Sequence, residues 1–124
     1  MIVFERPIPI VRIFDEQKAR EFYVDYLGFQ VDWEHRFAEN MPLYMQLSRG
    51  DLVLHLSEHY GDGVPGIVLW VRMKGVEEFH REVSARQYKY LRPGLEDQRP
   101  DLPFIVMNVI DPFGNRIRFA EPAE

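Results

Sequence analysis

Two tight turns, Gly50-Asp51 and Gly114-Asn115, recur 64 residues apart, and each opens a strand-like run that ends on an acid, GDLVLHLSE and GNRIRFAE. What precedes each turn also recurs. Residues 8–14 (IPIVRIF) are rich in Ile and Val and read as a strand. Asp15 then caps a helix in which Ala19, Phe22, Tyr23, Tyr26 and Leu27 recur three and four apart, and Gly28 stops it. Strands follow at 29–37, 42–49 and 52–58. The turn-rich stretch HYGDGVPG (59–66) reads as a linker, after which the order restarts. It gives a strand at 67–73, then a helix at 75–86 with Val76, Phe79 and Val83 on one face. A short strand at 88–92, a loop at 93–103 and strands at 104–110 and 116–121 complete it. The duplication predicts an α+β protein: one domain of two tandem βαβββ modules, about 1–60 and 66–124. Their curved sheets surround a shared groove, and each sheet has one face under its own helix.

Composition narrows the function. One domain is the expectation for 124 residues, and 46% hydrophobic residues suffice for a core. The net charge is −5 and no run of Lys or Arg occurs, which argues against nucleic acid and for a neutral or cationic small ligand. The chain has no cysteine, so disulfides, thiolate metal sites and cysteine nucleophiles are excluded, and a cytoplasmic location is expected. No apolar run approaches the ~20 residues that span a bilayer, so no membrane partner is expected. The opening MIVFERPIPI carries an acid and prolines, unlike a signal peptide.

One motif has to be weighed against this frame. His55-x-x-Glu58-His59 matches a zinc-protease pattern. That chemistry needs both histidines on one helix face. Here Leu52, Leu54 and Leu56 alternate with Val53, His55 and Ser57, which is the period of a strand. On a strand the two histidines stand ~13 Å apart, too far to share an ion. His55 is expected on the concave face, with the leucines beneath the helix. His35 and His80 read as solvated surface residues.

The repeated order, with AREFYVDYLGF near the start and DPFGNRIRF near the end, resembles the vicinal oxygen chelate superfamily. That superfamily includes glyoxalase I, extradiol dioxygenases, fosfomycin-modifying enzymes and bleomycin resistance proteins. The resemblance spans nearly the whole chain and implies the paired βαβββ fold. In the superfamily's metal enzymes four ligands sit on the first, fourth, fifth and eighth strands. Those places fall here on Ile8, His55, the stretch 66–68 and Arg118. Three of the four lack a ligand, so no metal or other cofactor is expected.

The bleomycin resistance proteins are the branch without the metal, and the resemblance is strongest there. Their second strand carries groove aromatics, which places Trp33 and Phe37 in that role. Their fifth-strand tryptophan corresponds to Trp70 in LWV, and their DP-x-GN segment to Asp111–Asn115. Where they often have a PWG before the seventh strand, this chain has Leu102-Pro103. The resemblance implies a non-enzymatic protein that binds and sequesters a bleomycin-type antibiotic. It acts as a homodimer that can exchange its N-terminal strands. Trp33, Phe37, Tyr44, His55, Trp70 and Arg118 are the ligand-binding candidates. Trp33 and Trp70 also suit a core, and Arg118 also suits a pairing with Glu58 or Glu121. The alternative is a metal-dependent lyase, isomerase or dioxygenase of the same superfamily, with His55 as one ligand.

Overall fold

The computed structural model describes residues 1–123. The first half contains β1 (Ile10–Arg12), α1 (Glu16–Arg20) continued by a π-helical segment (Glu21–Tyr26), β2 (Gln30–His35), β3 (Tyr44–Arg49) and β4 (Leu52–Ser57). The second contains β5 (Val68–Arg72), α2 (Val76–Ala85), β6 (Leu95–Asp97), β7 (Phe104–Ile110) and β8 (Arg116–Pro122). Each half is therefore strand, helix, three strands. The sheets run β1-β4-β3-β2 and β5-β8-β7-β6. In each, the first strand pairs in parallel with the last, Ile10 opposite His55 and Val68 opposite Arg116, while the other pairs are antiparallel.

Local chemistry explains the first helix. The Asp15 carboxylate accepts from the Lys18 amide at 2.9 Å, satisfying a donor that the first turn leaves open. Further on, the Leu27 amide reaches back five residues to the Phe22 carbonyl. This wider winding buries Phe22, Tyr23, Tyr26 and Leu27 together. Gly28 ends the segment with a φ of 82°, a conformation costly for any residue with a Cβ.

The helix-covered faces of both sheets feed one apolar cluster that includes Leu54 and Leu56 from β4 and Ile117 and Phe119 from β8. Polar ties cross between the halves. The Tyr23 hydroxyl donates to Asp111 at 2.7 Å. Asn115 donates to the Arg12 carbonyl and accepts from the Gly66 amide. Arg49 binds Glu82 through both terminal nitrogens, and Arg86 donates to the Tyr26 carbonyl.

The sixth strand is not where its residues suggest. Residues 88–92 turn instead of extending: Tyr88 stacks on Tyr26 at 4.7 Å, and Arg92 donates to the Tyr88 and Leu91 carbonyls. β6 lies inside the expected loop, where Leu95–Asp97 finds a partner in β7, Leu95 opposite Met107 and Asp97 opposite Ile105. The aromatic residues are claimed by the helix, so the sheet takes the next segment. β1 is also shorter than 8–14. Before it, residues 1–9 form no regular element, and Met1, Ile2, Val3 and Phe4 are exposed.

Candidate functional site

Phe29 and Val31 face the core side of β2, and a regular strand would send Trp33 the same way. A β-bulge prevents this: Val31 lies opposite Leu47 but Trp33 lies opposite Gln46, so Asp32 is an extra residue. Trp33 is turned onto the open, helix-free face, where it is 44% exposed. Its ring stacks on Tyr44 at 6.0 Å and 12°, and meets the His55 ring edge-on at 5.3 Å.

Beneath these rings a polar relay crosses the sheet. The Tyr44 hydroxyl lies 2.7 Å from His55 Nδ1, and His55 Nε2 lies 3.0 Å from Gln46 Oε1. Gln46 Nε2 in turn donates to Asp32 Oδ2 at 3.1 Å, and Asp32 accepts from Ser48 and Gln30 as well. The consistent assignment is a neutral imidazole that donates from Nε2 and accepts at Nδ1. Desolvation lowers the His55 pKa, which agrees with that state. The bonds from Gln46, Ser48 and Gln30 lower that of Asp32. A cleft of ≈ 450 Å³ opens beside the relay, lined by Trp33, Phe37, Tyr44, His59 and Asp62 among others. Phe37 is exposed and meets His35 edge-on at 4.9 Å and His59 at 6.3 Å.

The second sheet offers an equivalent open face. Trp70 lies opposite Arg118, which lies opposite Asn108. Trp70 is also 44% exposed and meets Phe104 edge-on at 5.1 Å. Val106 and Ala120, paired with each other on this sheet, are buried although they belong to no part of the main core. Trp70 lines a cleft of ≈ 930 Å³ with the N-terminal residues Phe4, Pro7 and Ile8. Trp33, Tyr44, His55 and Phe37 thus gather on one sheet, and Trp70 and Arg118 on the other. Among the described residues no ring contact joins the two sets.

A family model described as glyoxalase superfamily protein covers residues 1–124. This chain belongs to the glyoxalase superfamily. No curated protein matches it by sequence. Several solved structures of this superfamily's fold superimpose on it. TnmS3, an antibiotic-binding protein from Streptomyces sp. CB03234, does so with a TM-score of 0.71 at 19% identity, covering 99% of this chain and 100% of that one. The bleomycin resistance determinant encoded on transposon Tn5 gives 0.70 at 23% identity over 96% and 98%. The bleomycin-binding protein of bleomycin-producing Streptomyces verticillus, solved with copper(II)-bleomycin, gives 0.66 at 26% over 100% and 99%.

Metal-dependent members of the glyoxalase superfamily need several donors on the concave face, and the residues at these places do not fit an ion. Ile8 lies in the exposed N-terminal segment, and Gly66 has no side chain to offer. His55 already uses both ring nitrogens. Arg118 brings a cation. Neither acid that could replace it is free: Glu58 accepts from the Leu43 amide and pairs with Arg36, and Glu121 accepts from the Gly75 and Val76 amides at the start of α2. Among the described residues no three His, Cys, Asp or Glu side chains gather around a common point. Arg118 accordingly pairs with neither Glu58 nor Glu121. His80, expected in solvent, is half-buried and lies 2.7 Å from the Pro93 carbonyl.

Residue reading alone missed Asp32, Gln46, Asn108 and Phe104. Asp32 had a signal: Val31 and Trp33 cannot face the core and the groove at once unless one residue is extra. Phe104, the first residue of β7, stands just past Leu102-Pro103 and meets the Trp70 ring.

Proposed function

We propose that the chain binds and sequesters a small molecule with flat rings, a bleomycin-type antibiotic, without altering it. The observation that carries this reading is the pair of half-exposed tryptophans. Each lies on the open face of its own sheet beside a second aromatic ring, and each keeps 44% of its surface exposed. Indole faces left open to water cost solvation energy that a stacked heterocycle recovers. The donor geometry, which suits no metal, and the bonded, neutral His55 favour a binding wall over a reacting centre. The names of the structural neighbours supply the ligand class.

In this reading two copies complete the groove: the Trp33 wall of one faces the Trp70 wall of the other. Trp33, Tyr44, His55 and Phe37 form one side, Trp70 and Arg118 the other. The exposed apolar segment Met1–Phe4 packs on the partner, as an exchanged N-terminal strand would.

A titration with metal-free bleomycin, followed by tryptophan fluorescence, tests the proposal. Quenching should saturate at one drug per subunit, and both Trp33→Phe and Trp70→Phe should weaken binding about tenfold, since base-like stacking on an aromatic is worth ~1–3 kcal/mol. Mass spectrometry should return the drug unchanged. No saturable response, or a modified drug, would refute it.

A further inference from the structure

The two walls differ in charge. Arg20, Arg36, Arg49 and Arg86 each pair with a carboxylate inside the chain. On the open face of the second sheet, Arg116 and Arg118 are exposed, and among the described residues neither guanidinium has a hydrogen bond or an ion pair. They alternate with buried Ile117 along β8, so their Cα atoms lie about 7 Å apart on one face. Trp70 lies directly opposite Arg118 on β5 and Asn108 opposite it on β7. The acid of this face, Glu96, stands at the far edge on β6, opposite Val106, with the buried Ala120 beyond that. Arg72 shares the face, and with Trp70 it lines a cleft that also holds Glu5, Arg6 and Asp51, so Arg72 contributes less. A chain of net charge −5 thus sets two unpaired guanidinium groups beside its half-exposed indole.

We propose that this wall is a site for an oxyanion carried on a flat aromatic ring: the ring stacks on Trp70 and a carboxylate is held between Arg116 and Arg118. Guanidinium forks match carboxylate oxygens, and Asn108 adds a neutral donor at the same level. The inference rests on the groove reading above and departs from its bleomycin-type ligand. It favours an aromatic acid over the cationic or neutral ligand that the whole-chain charge suggests.

Calorimetric titration of the full chain with 2-naphthoate and with its uncharged carboxamide decides it, with metal-free bleomycin as a third ligand. The carboxylate should bind at least tenfold tighter than the amide, and the gap should shrink as salt is raised. Arg118→Ala should cut the gap to under threefold, with Arg118→Lys between. Equal binding of carboxylate and amide overturns the anion site while the groove stands. Failure of all three ligands to bind removes the groove reading and this inference with it. If Arg118→Ala and Arg116→Ala instead dissociate a dimer, the arginines serve a second copy of the chain, and the inference is wrong.

Discussion

His55 is held by two hydrogen bonds that only a neutral imidazole makes in their present directions. Protonation would force the Tyr44 hydroxyl to turn round and accept. Because desolvation depresses the folded-state pKa below its ordinary 6.5, the unfolded chain binds the proton more readily. The stabilisation from this group is therefore complete above pH 6.5 and is lost as pH falls through the lower, folded-state value. Urea midpoints measured from pH 8 to pH 5 should fall on the acid side, and His55→Gln should flatten that part of the profile. An identical profile in the variant would show that His55 is not responsible. The alternation of leucines placed His55 on the open face from sequence alone. Its partners were not legible, because Gln46 and Asp32 reach it through a strand pairing and a bulge that no local pattern specifies.

At the scale of elements, the turn after the π-helical segment carries unusual weight. A Cβ on Gly28 would lie 2.6 Å from Arg49 Nη1, at a φ of 82° that already disfavours other residues. Arg49 is the side chain that joins the Leu27 carbonyl to Glu82 of α2, and it lies over the Phe79 ring at 4.9 Å. Gly28→Ala should thus cost about 1–3 kcal/mol, from strain and displacement of Arg49 together. A denaturation midpoint unchanged from the parent would contradict this. The glycine and the helix before it were readable from spacing. The π winding was not, since it differs from an α-helix only in which carbonyl Leu27 reaches. β6 was unreadable for a related reason: Tyr88 and Tyr90 have strand-forming character, but Tyr88 packs on Tyr26 and Phe22. What makes Leu95–Asp97 a strand is the edge of β7.

For the whole molecule, the shared cluster and the ties at Tyr23, Asn115, Arg49 and Arg86 favour one cooperative unit made of both modules. We expect a single thermal transition, with Phe22→Ala in the first half and Val83→Ala in the second lowering the same midpoint. Two resolved transitions would mean that the modules fold separately. If the Trp33 and Trp70 walls meet between two copies, the midpoint should also rise with protein concentration. Phe4→Asp should then weaken that dependence, because the charge would fall where the proposed dimer packs its N-terminal segment.

The extra residue at Asp32 divides β2 into two stretches that are out of phase. Upstream, every second side chain faces the core; downstream, the same parity faces the open side of the sheet. The two sets of constraints therefore meet at one peptide instead of overlapping along the strand. Side chains past that point are free to drift in size and polarity without disturbing the packing under the helix. One scaffold can in this way change what it holds by re-aiming a few residues, and a single insertion or deletion at residue 32 would exchange the inner and outer faces of the wall.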